Sequence, residues 1–331
     1  MKIRITDHSG APYIDHPGFG PWFIFEEQIK LGGNVIIKDS FNVQADVNIV
    51  NCYSKDIIKK TNSGEKKSSN LLIIWEPEVT NSKIYNREYL DHFKIIYCPS
   101  KFWAERVKGK NFNWPAIPVK NTNVIPDQWL NRQNKAVMVL SNKFSSHKNE
   151  LYSLRRKLAS IADESLLSVF GVGWSNAFIV NVIKWIKSVN RSGLSNIRLS
   201  SLFPLKARKW NRFANVVNKY DALSGFRISV VIENSNDYIS EKIFDSLYSQ
   251  NIVIYVGPNL DKFNLSEDLV ISVSNDIDVL NAMIEKIIGL DDDKQLEILE
   301  IQQRRYHKEC SSWNNDLVMK QLANQILKDL K

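Results

Sequence analysis

The run FRISVVIENSNDYISEKIFD, from Phe226 to Asp245, decides the fold. It opens on an apolar segment of strand length, Phe226 to Ile232, and breaks at the polar turn Glu233-Asn-Ser-Asn-Asp-Tyr238. It resumes as a helix over Ile239–Ser249, followed by a second apolar strand, Ile252 to Val256. The second strand carries no charged residue and does not alternate, which is the pattern of strands covered on both faces of a parallel sheet. In such a sheet ligands collect beyond the carboxyl ends of the strands, and the free N–H groups of the following helix attract phosphate.

The same alternation extends in both directions. Upstream lie apolar runs at Lys2–Thr6, Asn34–Lys38, Ala45–Cys52, Leu71–Trp75 and Lys94–Cys98, with Trp22–Leu31 as a crossover helix closed by Gly32-Gly33. The stretch from Asn111 to Gln133, with Pro115, Pro118 and Pro126, reads as a connection between domains. Beyond it come strands at Ala136–Leu140 and Leu166–Phe170, a helix near Lys148–Ile161, the glycine pair of Gly171-Val-Gly-Trp174, a strand at Leu269–Val273 and helices from Asp278 onward. The expectation is an α/β chain of two facing, doubly wound, Rossmann-like domains, over residues 1–130 and 131–310. The helical tail, residues 311–331, is free to pack back on the first domain.

Composition narrows the class. A chain of 331 residues with 44% hydrophobic residues fills two cores rather than remaining disordered. Cys52, Cys98 and Cys310 are widely spaced and form neither a disulfide framework nor a zinc pattern. No run reaches the roughly 18 apolar residues of a membrane-spanning helix, and the start MKIRITDHSG carries no secretory signal, so a cytoplasmic chain is expected. Asp291-Asp-Asp293 and Asp276-Ile-Asp278 read as helix caps rather than metal ligands.

The net charge of +8 has one local source. Between Ser175 and Tyr220 stand nine Lys or Arg and no Asp or Glu; without them 35 basic residues face 36 acidic ones. A nucleic-acid-binding protein is disfavoured, since no binding module accompanies the charge. Asn176–Val189 reads as an amphipathic helix with Ile179, Val182, Ile183 and Ile186 on one side. Basic amphipathic helices dock on anionic lipid, so Lys184, Trp185, Lys187 and Arg191 are candidate contacts with a membrane or an acceptor at the inner face of the membrane. The alternative is that the apolar side packs inward.

At the turn after Phe226–Ile232 the side chains suit a nucleoside diphosphate. Ser240 offers a hydroxyl near the helix start, Lys242 a cation for a phosphate oxygen, and Glu241 an acceptor for vicinal ribose hydroxyls. Lys242 would also stabilise charge growing on a departing diphosphate. A Ser-Glu-Lys at a helix start serves equally as a simple cap.

The run from Phe226 to Gly257 resembles the donor-site signature of the family 10 glycosyltransferases, the α-1,3/4-fucosyltransferases. The matching pieces are Ile232-Glu233-Asn234-Ser235, Tyr238-Ile239-Ser240-Glu241-Lys242 and Ile252-Val-Ile-Tyr-Val-Gly257. Val253 stands where the family has Pro, Ser240 where it has Thr, and the Asn234–Tyr238 spacing is short. The resemblance implies a GT-B fold, GDP-fucose as co-substrate, inversion at the anomeric carbon, Glu241 on ribose, Lys242 on diphosphate, and Asn234 and Tyr238 lining the pocket, with Glu233, Ser235 and Ser240 in the same donor-binding segment. It also implies that no divalent metal is strictly required, and that an arginine lies on the diphosphate, for which Arg155, Arg191 and Arg198 are candidates. The acceptor expected is an oligosaccharide or lipid-linked glycan of a bacterial surface, as in lipopolysaccharide biosynthesis. The first domain would then face the acceptor and the second hold the nucleotide sugar.

Inverting transfer needs a base. Glu76, directly after the strand Leu71–Trp75, is the first candidate and Glu78 the second. Pro99-Ser-Lys-Phe-Trp103, His8 and His16 are candidates for shaping the acceptor side. Two alternatives remain: the same fold with a UDP-galactose or UDP-galactofuranose type of donor, and a non-catalytic module that binds a sugar nucleotide or glycan.

Overall fold

The computed structural model describes residues 1–6, 20–37, 44–51, 53–64, 70–113, 123–174, 177–192, 199–205, 207, 213, 218–309 and 313–331. Its internal contacts separate two compact units, Met1–Pro118 with Ser312–Lys331, and Val119–Ser311.

The first unit is one six-stranded sheet with every pairing parallel, in the order β2-β1-β3-β4-β5-β6. The strands are β1 (Lys2–Ile5), β2 (Val35–Ile37), β3 (Val47–Val50), β4 (Asn70–Ile73), β5 (Ile95–Cys98) and β6 (Lys110–Asn111). Period two sorts their side chains into two layers. Ile3, Ile5, Val47, Ile49, Leu71 and Ile73 pack with Phe25 and Ile29 of α1 (Gly20–Leu31) and with Met319, Leu322 and Ile326 of α12 (Asn315–Asp329). Val50, Leu72, Ile96 and Cys98 pack with Ile57 of α2 (Lys55–Asn62), with Tyr89 and Leu90 of α3 (Arg87–Leu90) and with Trp103 and Val107 of α4 (Lys101–Val107). Each large aliphatic side chain so buried contributes about 1.5–3 kcal/mol. The strands are not wholly apolar, however. Arg4 donates to Asn48 at 2.7 Å and Asn48 to Asn70 at 2.9 Å, a buried polar ladder across β1, β3 and β4.

The second unit holds a five-stranded parallel sheet, β11-β10-β9-β7-β8. Its strands are β7 (Gln133–Val139), β8 (Leu167–Phe170), β9 (Phe226–Ile232), β10 (Ile252–Val256) and β11 (Ile271–Ser272). Flanking helices include α5 (Pro126–Leu130), α6 (Tyr152–Ile161), α7 (Phe178–Ser192), α8 (Lys219–Ser224), α9 (Glu241–Tyr248), α10 (Ile277–Ile288) and α11 (Asp292–Glu309). The chain leaves β7 toward β8 and returns past it to β9, so the strand order reverses between β7 and β9. Sites form beyond the strand ends at such a reversal.

Several boundaries differ from expectation. The connection read over Asn111–Gln133 folds in its later part as α5, where Pro126 occupies the start and buried Trp129 donates to the Gln250 carbonyl at 2.8 Å. The strand read over Leu269–Val273 is confined to two residues by a 3-10 turn at Glu267–Leu269. α6 begins at Tyr152 because Glu150 accepts from Ser153 N and Oγ at 2.8 and 2.6 Å. α12 belongs to the first unit, where Asp329 accepts from Tyr97 Oη at 2.6 Å and Lys110 Nζ at 2.5 Å. Asp276-Ile-Asp278 and Asp291-Asp-Asp293 cap helices: Asp276 accepts from the Asp278 and Val279 amides and Asp291 from that of Lys294.

Candidate functional site

β9 runs fully buried to Ile232, and the chain then turns sharply before α9. Glu233 fixes that turn. Its carboxylate, with no solvent exposure, accepts from Ser240 N at 2.9 Å and Ser240 Oγ at 2.5 Å. Burial pushes this carboxyl above the ordinary glutamate range, against the opposing pull of Lys242 and of both Ser240 bonds. Glu233 therefore sits behind the turn as a positioning residue, and Ser240, at the N-cap of α9, spends its hydroxyl on Glu233 rather than on a helix amide. Gly257 closes the rear: a Cβ there would lie 2.3 Å from Tyr255 Oη and 2.9 Å from Glu233 Cγ.

Glu241 and Lys242 occupy the first turn of α9. The Lys242 ammonium accepts direction from two neighbours, donating to Ser240 Oγ at 2.8 Å and standing 3.7 Å from Glu241 Oε1. The Glu241 side chain is half-exposed and that of Lys242 only 19% exposed. Partial burial raises the Glu241 carboxyl, but Lys242, its own backbone amide, Lys219 and Lys143 outweigh that effect and hold it below the ordinary value. Beneath the pair lies a cavity of about 150 Å³, lined by Ser141 beyond β7, Ser229 of β9, Lys219 of α8, and Glu241, Lys242, Asp245 and Ser246 of α9. It stands at the strand reversal between β7 and β9.

The other residues of the segment support this turn. Arg155 of α6 is 2% exposed and donates to the Ile232 carbonyl at 3.0 and 2.6 Å and to Asn234 Oδ1 at 2.9 Å. Its guanidinium thus holds the end of β9 through Nε and Nη2. Ser235 donates to Asp237 at 2.7 Å and bridges Tyr238, which is buried. His8, His16, Arg198, Cys52, Cys310 and the side chain of Arg191 lie outside the described residues.

In the first unit Glu76 and Glu78 differ in kind. Glu78 is buried and paired with Arg106 at 2.6 Å. The Glu76 carboxylate has no hydrogen-bond or ion-pair partner among the described residues; the Glu76 carbonyl accepts from Tyr85 Oη at 2.7 Å. Ser100 caps α4 through the Trp103 amide at 3.3 Å and Trp103 is fully buried, whereas Lys101 and Phe102 of the Pro99–Trp103 segment are exposed.

α7 is inverted in its burial. Asn181 and Ser188 face inward, Asn181 donating to the Leu205 carbonyl at 2.6 Å, and Trp185 donates to Ser201 Oγ at 3.0 Å. Phe178, Ile179, Val180, Ile183 and Ile186 are all exposed, Ile179 by 72%. The Lys184 ammonium donates to the Gly173 carbonyl at 2.9 Å. No helix among the described residues is long and apolar enough to cross a membrane, and no cluster of three metal-ligating side chains occurs among them.

No protein-family model and no curated protein sequence matches the chain. Solved structures do. An α1,3-fucosyltransferase matches 99% of the chain and 89% of its own with a TM-score of 0.57 at 13% identity. HepE of Anabaena, in complex with UDP and glucose, matches 99% of the chain and 100% of its own with a TM-score of 0.59 at 10% identity. A glycosyltransferase of Rickettsia africae covers 99% and 98% with a TM-score of 0.51 at 14% identity. The fold is GT-B.

Within this GT-B chain the cavity beneath Glu241 brings in residues that sequence reading passed over. Lys219 counted only toward the basic segment, yet its ammonium lies 2.6 Å from Asp245 Oδ2, and Tyr220 Oη donates to Asp245 Oδ1 at 2.9 Å. Burial raises the Asp245 carboxyl, against the pull of Lys219. The signal available was spacing: Asp245 follows Glu241 by four residues, hence on the same helix face.

Proposed function

We propose that the chain is a glycosyltransferase using a nucleotide sugar, and that the donor binds the Val119–Ser311 unit at the N-terminus of α9. The observation that carries this is the assembly at the strand reversal, where a half-exposed carboxylate and a cation on the first turn of a helix stand over an open cavity. The helix N-terminus supplies about half a positive charge and free N–H groups for a diphosphate. Lys242 neutralises the departing diphosphate, and Glu241 accepts from the ribose hydroxyls. GDP-fucose is the proposed donor, supported by the match of the Phe226–Gly257 run to the fucosyltransferase signature and by the fold likeness to an α1,3-fucosyltransferase seen with GDP. HepE, with UDP and glucose, favours a UDP-sugar as the second reading.

In the proposed inverting reaction Glu76 takes the proton of the acceptor hydroxyl. The acceptor oxygen forms its bond to the anomeric carbon while the bond to the diphosphate oxygen breaks, and the nucleoside diphosphate leaves with the electron pair. Glu76 suits this role better than Glu78, whose carboxylate is held by Arg106. The proposed acceptor is a lipid-linked or other surface glycan, met at an anionic bilayer through the exposed apolar face and the lysines of α7. Glu76→Gln is the test of the chemistry: transfer is lost while donor affinity is kept, and a collapse of donor affinity removes the base assignment.

A further inference from the structure

In a nucleotide the ribose lies between base and phosphate, and the cavity that Glu241 lines extends to Asp245, one turn along the same helix. With phosphate at the N-terminus of α9 and ribose at Glu241, a base that enters this cavity meets the side chain four residues, about 6 Å, further along the same helix face. That side chain is Asp245, the buried wall of the cavity, joined to Lys219 and Tyr220. Such a wall has a definite complement. A carboxylate only accepts, with two oxygens and about four lone-pair sites, so one further bond to each oxygen remains open beside Lys219 and Tyr220. The Lys219 ammonium keeps two N–H donors after its bond to Asp245. The Watson–Crick edge of guanine presents two adjacent donors, N1–H and the 2-amino group, next to the O6 acceptor. Uracil presents one donor between two acceptors, which sets O2 against a carboxylate oxygen; adenine presents one donor beside an acceptor nitrogen.

We propose that the cavity beneath Glu241 is the nucleobase pocket and that Asp245, with Lys219, selects guanine there. This rests on the donor-site reading given above. Asp245 accepts from N1–H and the 2-amino group, and Lys219 donates to O6.

Calorimetric titration of the full chain with GDP, IDP, UDP and XDP tests it. IDP lacks only the 2-amino group, so the unaltered protein binds it about tenfold or more weaker than GDP, the loss of one hydrogen bond to a charged acceptor. Asp245→Asn places an acceptor and a donor where there were two acceptors, which matches the N1–H and C2 carbonyl of xanthine; the variant loses GDP affinity about tenfold or more and gains affinity for XDP. That gain cannot come from a misfolded variant, and the comparison of IDP with GDP requires no variant. Equal affinity for IDP and GDP, or UDP bound as tightly as GDP, with Lys242 still needed for binding, overturns the guanine assignment and leaves the donor site standing. Absence of binding by every nucleotide overturns the donor site itself, and the base pocket with it.

Discussion

Replacing Lys242 by Met removes the charge at the start of α9 and keeps most of the apolar stem. The expected loss of turnover follows from placement. The ammonium is tethered by Ser240 Oγ at 2.8 Å and is mostly shielded from solvent. Opposite unit charges about 4 Å apart interact by about 4 kcal/mol at an effective dielectric of about 20, and removing one preorganised donor from a developing anion costs about 2.7–4 kcal/mol. Both figures place kcat about 10²–10³-fold below the parent. The ammonium also donates to Ser240 Oγ and offsets the buried Glu233 carboxylate, so a loss of stability of about 1–3 kcal/mol is expected beside the loss of rate. The assay is steady-state release of nucleoside diphosphate, with thermal unfolding of both proteins alongside and Lys242→Arg as the charge-keeping control. A Met variant within about threefold of the parent rate would refute the electrostatic role assigned to Lys242.

Other consequences lie at distinct places. Arg155→Met leaves the Ile232 carbonyl and Asn234 without their donor, and loss of a buried partner costs about 1–3 kcal/mol, read as a lowered urea midpoint. Asp329 is held below the ordinary aspartate value; burial opposes this, but bonds from Lys110, Tyr97 and Gln325 outweigh it. A depressed carboxyl stabilises the fold at pH above its unfolded value of 3.8 and loses that contribution as pH falls through the lower folded value. Asp329→Asn should therefore lower the melting temperature at neutral pH and flatten its decline below about pH 4. On α7, Ile179→Glu with Ile183→Glu should abolish co-sedimentation with anionic vesicles while leaving turnover on a soluble acceptor intact; unchanged co-sedimentation would remove the membrane role.

Much of this was legible in the amino-acid order because parallel strands need long apolar runs, and the run from Phe226 to Ile232 can be little else. The polar ladder Arg4–Asn48–Asn70 was not, since it depends on register between strands far apart in sequence. The same limit hid the bond of Arg155: nothing local tells that an arginine on α6 will bond a carbonyl 77 residues away in the chain, here that of Ile232. The pairing of Glu233 with Ser240 was not legible either, because a carboxylate in a polar turn looks solvated until its partner is seen folded over it. Periodicity identified α7 as amphipathic, yet it does not say which face is covered, and here the polar face of Asn181 and Ser188 is the buried one. Lys219 and Asp245 meet only through tertiary packing of α8 against α9.

The central claim, a nucleotide-sugar donor site on the second unit, is tested most directly by turnover with a panel of GDP-, UDP- and CMP-sugars, following both the released nucleotide and the anomeric configuration of the product. The expected result is transfer from GDP-fucose with inversion, lost in Lys242→Met. Failure of every nucleotide sugar to bind or turn over would contradict it.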